Sequence, residues 1–203
     1  MSKVRFFELN TCYLKAHELC MIHHAPDKVR HIDYMLSWGR KLGPLYPGDL
    51  DDARIFMVPE YGMGLGGLVS NTCGHLIVST PVKDVISEWF EDQQMLEILR
   101  VAICDHKQRL ADDGYWYINP IGSLDCLDQK KSLIERDEEG EVISVEKKVL
   151  SLHGIDQKKP LFRIKESRDS YIIRHDLLMA IKALNLPIPN IYVEELEVTG
   201  APA

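Results

Sequence analysis

The stretch HLIVSTPVKDVISEW (75–89) has the most informative pattern in this chain. Its apolar beginning predicts a buried strand, and Thr80 and Pro81 then form an N-cap and first-turn pair that starts a helix to about Phe90. A second stretch, SYIIRHDLLMAIKAL (170–184), has the same strand-into-helix pattern with different residues. We therefore predict an α+β fold of mixed strands and helices, with two similar strand–helix units around an antiparallel-rich sheet.

Further elements are predicted outward from these two units. A helix is predicted across 28–41, and another over 94–110, because apolar side chains recur there at helical spacing. These side chains are Leu96, Leu99, Ile103 and Leu110. The remaining strands are predicted at 4–9, 53–58, 115–120, 132–134, 142–145, 148–152, 160–165 and 191–198. The length predicts a single α+β domain, 1–203, or a division into halves at 1–110 and 111–203.

The composition is that of an ordinary globular protein, 45% hydrophobic and 27% charged. The first residues lack an apolar signal sequence, and no apolar run approaches the ~20 residues of a membrane span. Five scattered cysteines without a CxxC pair indicate reduced thiols rather than a disulfide framework or a zinc site. We therefore expect a cytoplasmic protein that does not contact a membrane.

The formal net charge is −7, and the excess acid lies in the middle of the chain. Residues 1–60 hold eight basic and eight acidic side chains, and residues 151–203 hold seven of each. This distribution disfavours direct nucleic-acid binding, which requires cations that displace phosphate counterions. It favours a basic protein partner, and it leaves self-association open.

Two motifs match known binding sites only in part. GMGLGG (62–67) has the GxGxxG spacing, but a dinucleotide site needs a helix that starts inside the glycines, and a strand-like segment follows here. The other motif is a group of histidines near several carboxylates, which suits zinc, iron or nickel but lacks a ligand pair such as HExxH. These histidines are His17, His23, His24 and His31. We assign no metal site and no cofactor, and we keep a metal-dependent hydrolase using these histidines as an alternative function.

The stretch YWYINPIGSLDCLDQKKS (115–132) raises the question of a catalytic cysteine. Cys126 lies between two aspartates, and flanking carboxylates disfavour the thiolate that a nucleophile needs. Aspartate side chains do accept backbone N–H bonds in tight turns. We therefore assign no catalytic residue. The residues interpreted as structural turn positions are Asn119, Pro120, Asp125 and Asp128.

Acidic side chains form two groups, one on the helix predicted after Thr80 and one around the turn RDEEGE (136–141). Such a turn is ordinarily a solvated hairpin loop. As a functional surface it would meet a basic partner and speed its capture. The candidate partner-binding residues are Asp84, Glu88, Glu91, Asp92, Glu135, Asp137, Glu138, Glu139 and Glu141.

Taken in order, residues 115–198 resemble a family of bacterial immunity proteins, the myxobacterial-type immunity protein family eleven. The likeness runs through YWYINPIGSLDCLDQKKS, EVISVEKKVLSLHGIDQKKPLFRIK, SYIIRHDLLMAIKALNLP and the closing IYVEELE. In the N-terminal half it is limited to HLIVSTPVKDVIS. Arg174 and His175 depart from the Ser-led helix cap usual in the family, and Pro-Ile-Pro-Asn stands where a Gly-containing turn is typical.

Members of that family are found beside secreted polymorphic or type VI toxins. The resemblance implies a non-enzymatic protein that binds a cognate toxin and blocks it. Such toxins are used in competition between bacteria. The family is often paired with HNH-like nuclease toxins, so we expect a nuclease whose active site is occluded. A toxin adaptor or chaperone, which would escort the toxin without blocking it, is a further alternative.

Overall fold

The structure, a computed structural model, describes residues 4–200. The strands within that range are β1 (Phe6–Leu9), β2 (Met21–Ile22), β3 (Arg54–Phe56), β4 (Leu68–Asn71), β5 (Ile77–Ser79), β6 (Leu96–Cys104), β7 (Leu110–Pro120), β8 (Leu133–Arg136), β9 (Val142–Lys147), β10 (Val149–Ser151), β11 (Leu161–Ile164), β12 (Ser167–Arg174), β13 (Val193–Glu195) and β14 (Glu197–Thr199). The helices are α1 (Tyr34–Ser37), α2 (Thr80–Glu88) and α3 (His175–Lys182), with short 3-10 helices at Gly43–Leu45, Gln93–Met95 and Leu152–Gly154. Strands make up 37% of the chain and helices 15%, so this α+β protein is mostly β.

The largest sheet has six strands in the order β2-β4-β5-β7-β6-β3. Its three central pairs are antiparallel, and the outer pairs β2–β4 and β3–β6 are parallel. A bridge between Ile22 in β2 and Met57, just after β3, joins the two edges of the sheet. One buried core packs against this sheet, and its members include Ile22, Leu36, Ile55, Val69, Ile77, Val101, Ile103 and Tyr117.

A second sheet has four strands in the order β11-β12-β1-β13, and its pairs are antiparallel. Alternate residues of β1 face two different cores, because successive side chains of a strand point to opposite faces. Phe6 packs with Phe162 and Ile172 on one face. Phe7 packs on the other face, in the core that also contains the helices. Both faces of this sheet are therefore covered.

The two strand–helix stretches lie in different sheets, and their helices meet. β5 runs directly into α2 and β12 directly into α3. α2 and α3 pack against each other, and Val82, Ile86, Leu177 and Ile181 are buried between the two sheets in one core. The N-cap of α2 is Ser79, one residue earlier than predicted, and Thr80 is the first helical residue.

The helix predicted over 94–110 is wrong, because most of this segment is the strand β6. Leu96 and Ile98 pack into the core with the helices, whereas Leu99, Val101 and Ile103 pack into the core of the six-stranded sheet. This alternation is the period of two of a strand. Because both faces are buried, the segment is apolar almost throughout, and a run of this kind also satisfies a helical spacing.

Other boundaries also differ from the prediction. The helix predicted across 28–41 is only α1, since most of the segment forms turns. β7 begins at Leu110, five residues earlier than predicted, and pairs with β6 along its length. The last predicted strand is divided into β13, which pairs with β1, and β14, which pairs with β10. Within residues 4–200, none of the helices has the length and apolar character that a bilayer crossing requires.

Candidate partner-binding surface

The hairpin β8–β9 forms a two-stranded sheet of its own and carries the acidic turn. Ile134 and Val145 face each other across the hairpin and pack against the core that contains Leu127 and Leu150. Between this anchor and the tip, Val142 and Ser144 are half-buried and the other residues are exposed. The hairpin is therefore attached through its base and presents its tip to solvent.

The tip divides its acidic residues into those that shape the turn and those that are free. The Asp137 carboxylate accepts backbone N–H bonds from Glu139 at 3.0 Å and from Glu141 at 2.8 Å. Glu135 accepts a hydrogen bond from the Ser144 hydroxyl at 2.9 Å. Within residues 4–200, the carboxylates of Glu138, Glu139 and Glu141 have no hydrogen bond or ion pair. These three exposed charges are available to a partner.

Of the second acidic group, Asp84 and Glu88 lie on α2, which packs against α3, β5 and β7. Glu91 and Asp92 follow the end of this helix, which is shorter than predicted. Asp84 forms an ion pair with Lys83. The Asp92 carboxylate accepts the backbone N–H of Gln94 at 2.8 Å and so caps a 3-10 turn. Glu88 and Glu91 are exposed, and neither carboxylate has a partner within residues 4–200.

A cleft of about 640 Å³ lies beside the acidic hairpin, and the sequence did not indicate it. Three segments far apart in the chain form its walls: the end of α1, the hairpin, and the turn between β11 and β12. Its lining residues are Ser37, Trp38, Arg136, Gly140, Glu141, Val142, Lys165, Glu166, Arg168 and Asp169. We call this cavity the Trp38 cleft. No periodic pattern links these segments, so only the fold brings them together.

The stretch around Cys126 is a turn between packed strands. The Asp128 carboxylate accepts the backbone N–H groups of Lys130 at 3.1 Å and Lys131 at 3.2 Å, and the Thr199 hydroxyl donates to it at 2.7 Å. The Asp125 carboxylate lies 3.2 Å from Lys165 Nζ. Burial, to which the charges of Glu166 and Asp125 add, raises the pKa of Cys126 to about 12. A thiol with this pKa is protonated at neutral pH.

Asn119 and Pro120 lie at the end of β7 and tie it to neighbouring segments. The Asn119 amide donates to Glu97 Oε2 and to the carbonyl oxygen of Arg40, both at 2.9 Å. The carbonyl oxygen of Pro120 accepts a hydrogen bond from Arg163 at 2.5 Å. Arg163 is fully buried, and it also donates to the carbonyl of Leu36 in α1 at 2.6 Å.

The glycine-rich loop packs against the chain around Glu18 and makes no helix. A Cβ at Gly62 would lie 2.0 Å from the carbonyl oxygen of Glu18, so only glycine allows this approach. The backbone N–H of Gly64 donates to the same oxygen at 2.7 Å. The strand β4 follows the loop. The glycines therefore serve backbone packing.

A protein-family model covers most of this chain. The model of the immunity protein family (Imm11) matches residues 18–191. The chain belongs to this family. A search of curated proteins finds no match. The match extends well beyond the C-terminal half on which the resemblance in the sequence rested.

Membership of Imm11 confirms the resemblance and indicates toxin immunity. An immunity protein acts by binding its cognate toxin, and immunity protein families are generally non-enzymatic. The function of this Imm11 protein is therefore expected to lie in an exposed binding surface. The free carboxylates of the hairpin and the Trp38 cleft beside them are surfaces of that kind.

The histidines of the alternative hydrolase lie on the surface of this Imm11 chain. His17, His24 and His31 are exposed, and the rings of His23 and His24 stand 6.4 Å apart, edge to face. Within residues 4–200, no three His, Cys, Asp or Glu side chains converge in a way that could hold a metal ion. The described geometry gives the hydrolase alternative no metal centre.

Proposed function

We propose that this protein neutralises a cognate secreted antibacterial toxin, and that it does so by covering the active site of a nuclease. The observation that carries the proposal is the acidic hairpin tip of this Imm11 chain. The carboxylates of Glu138, Glu139 and Glu141 are exposed and unpaired within the described residues, on an arm whose base packs into a core. Such an arm can enter a cleft that a flat surface would leave open.

The charge of the tip favours a nuclease as the toxin. A nuclease needs a basic surface around its active site, because it must bind phosphates. Unpaired carboxylates attract such a surface before contact and raise the association rate. They would also occupy the positions that phosphates take during catalysis. An acidic arm therefore both steers the inhibitor and competes with the substrate.

The size and strength of the complex follow from its task. An immunity protein has to act at low concentration, so we expect a sub-nanomolar dissociation constant, about −12 kcal/mol or better. A one-to-one interface of roughly 1,600 Å² is the usual size for such a complex. Most of the binding energy then comes from a few buried anchors, while rim charges mainly set the association rate.

The first test is growth rescue by this protein from the toxin domain encoded beside its gene, followed by co-purification and an activity assay of the complex. Rescue with a stable, inactive complex supports the proposal. A complex in which the toxin stays active indicates the adaptor alternative. Undiminished toxicity without a complex, when this protein is folded, contradicts the proposal.

The role of the hairpin is tested by paired charge reversals of equal size. Glu138→Lys with Glu139→Lys is expected to raise Kd at least about 10-fold, mainly through a slower association rate. Glu88→Lys with Glu91→Lys measures in the same way whether the interface includes α2. Glu18→Lys with Glu60→Lys, at two exposed glutamates elsewhere, is the matched control and should leave Kd within ~2-fold. Equal effects from all three pairs would reduce the hairpin to a contributor to net charge.

A further inference from the structure

The Trp38 cleft presents aromatic surface to solvent at a fixed position. Trp38 is 42% exposed and Tyr34 46% exposed, and their rings meet edge to face with centroids 5.3 Å apart. The buried Arg163 holds α1 by its bond to the Leu36 carbonyl, and the backbone N–H of Gly122 donates to the carbonyl of Gly39 at 2.9 Å. The base under the indole is therefore ordered before any partner binds.

Two arginines stack on this indole without an acidic partner. The guanidinium carbons of Arg40 and Arg168 lie 4.9 Å and 5.3 Å from the centroid of the Trp38 ring. Neither guanidinium forms an ion pair within residues 4–200. Arg168 donates one hydrogen bond, from Nε to the carbonyl oxygen of Lys165 at 3.3 Å. Both groups retain N–H donors that face no acceptor. Stacking holds these planar groups in place, which lowers the entropy lost when they bind a carboxylate.

The charges of the cleft wall favour a protein segment over a nucleic acid. Its basic lining residues, Arg136, Lys165 and Arg168, are accompanied by Glu141, Glu166 and Asp169. One oxygen of Glu166 is buried without a hydrogen-bond partner. A polyanion would meet these carboxylates at every step along its backbone. A protein segment with one or two acidic side chains can place them on the arginines and avoid the acids.

We propose that the Trp38 cleft seats an acidic segment of the toxin, with its carboxylates on Arg40 and Arg168 and an apolar side chain on Trp38. Exposed tryptophan, tyrosine and arginine together are typical of the residues that dominate binding energy at interfaces. Glu141 belongs both to the cleft wall and to the acidic hairpin, so the two surfaces are continuous. The toxin thus meets negative charge at the hairpin and positive charge at Arg40 and Arg168, which fixes its orientation. This inference rests on the proposed function, since it names the face that performs it.

The experiment measures Kd and growth rescue for variants of the full chain with the toxin domain encoded beside its gene. Trp38→Ala is expected to raise Kd at least ~30-fold, as loss of a dominant anchor does. Arg168 is changed to Lys, Ala and Glu, and Kd should rise in that order, because Lys keeps the charge without the planar fork. The same order is expected at Arg40. Thermal unfolding shows that each variant is folded.

Matched controls separate this surface from the rest of the protein. Tyr61→Ala removes an aromatic side chain of similar exposure, 39%, and Lys182→Glu reverses an exposed cation on α3. Both should leave Kd within ~3-fold of the unchanged protein. If Trp38→Ala and the arginine series behave like these controls while the unchanged protein binds and rescues, the inference is overturned and the proposed function stands. Tighter binding by Arg168→Glu would also overturn it. If the unchanged protein neither binds nor rescues, both fall.

A spectroscopic readout tests the same point without removing Trp38. The chain has three tryptophans, Trp38, Trp89 and Trp116. In a variant with Trp89→Phe and Trp116→Phe, the tryptophan emission of this chain comes from Trp38 alone, and the emission of the toxin domain by itself is subtracted. We expect this emission to shift to shorter wavelength when the toxin domain binds, because the indole leaves water. An unchanged emission with a saturated complex contradicts the proposed seat.

Discussion

At the scale of single residues, His75 is a titratable group that the fold holds away from water. Its side chain is 2% exposed, its ring stands edge to face with Tyr117, and its Nδ1 atom has no partner. Burial and, to a lesser degree, the nearby positive charge of Arg163 lower the pKa of His75 from 6.5 to about 4, although the Asp33 backbone opposes this. The native state therefore contains the neutral imidazole at neutral pH.

We expect His75 to make the protein sensitive to acid. Its pKa is lower in the folded than in the unfolded chain, so between about pH 6.5 and 4 the unfolded chain binds more protons. Stability is therefore unaffected above pH 6.5 and falls as the pH falls toward 4, by about 3 kcal/mol for such a shift. His75→Leu should flatten the dependence of the unfolding free energy on pH, measured by urea denaturation. His106→Ala removes an exposed histidine and is the matched control; equal slopes for the two variants would contradict the role given to His75.

Arg163 has a structural role that the sequence alone does not predict. The stretch LFRIK (161–165) predicts a strand, and this pattern assigns no role to its arginine. In the structure the guanidinium is wholly buried, bonds two carbonyl oxygens and the Tyr171 hydroxyl, and stacks on the Tyr171 ring 4.3 Å away. These acceptors come from α1, the end of β7 and β12. The sequence pattern around Arg163 does not predict these acceptors, because most of them are distant in sequence.

At the scale of elements, β6 is a strand that is buried on both faces and therefore lacks the alternating pattern by which a sequence identifies a strand. A helix over 94–110 would bury Leu110 and expose Val101. The strand does the reverse: Val101 is 0% exposed and Leu110 is 59% exposed. The pairing with β7 decides the matter, because it satisfies the backbone of both strands while each face enters a core.

Substitutions at Val101 and Leu110 distinguish the strand from the predicted helix. Val101→Ala should lower the free energy of unfolding by roughly 2 kcal/mol, since it removes methyl groups from a filled core. Leu110→Ala should change it by less than about 0.5 kcal/mol, because the side chain is already in water. Chemical denaturation of the two variants checks this. The opposite order would favour the helix.

Elements bounded by local signals were predicted well. β11 and β12 lie where strands were predicted, and α2 and α3 follow their strands directly. Thr80–Pro81 and the turn of 136–141 carry the information near the boundary itself. The same holds for the candidate surface. The sequence predicts the position of the acidic hairpin, but it does not predict the Trp38 cleft. Its walls come from three separate segments, and spacing along the chain does not record their distance in space.

At the scale of the whole molecule, net charge governs how the protein finds its partner. With −7 overall, the chain produces a negative field, which suits the basic toxin proposed above. Salt screens such a field within a Debye length of ~10 Å at 0.1 M. The field affects the encounter far more than the dissociation of a formed complex.

We therefore expect the association rate with the toxin domain to fall at least ~10-fold between about 0.02 and 0.5 M salt. The dissociation rate should change by less than ~3-fold over this range, because anchors such as Trp38 are shielded from ions once buried. Stopped-flow mixing measures both rates. A salt effect confined to dissociation would contradict steering by charge.

Neighbouring residues in the chain were enough to predict the strand–helix stretches, the acidic hairpin and membership of an immunity protein family. The tertiary structure alone decided which strands share a sheet, so that β1 pairs with β12 and β13 from the other end of the chain. It also decided that β6 is a strand and that Trp38 meets Arg168 beside the hairpin. The physical reason is that side-chain periodicity reports which face of an element is buried. It does not report what covers that face, since the covering residues are selected by packing across the whole chain.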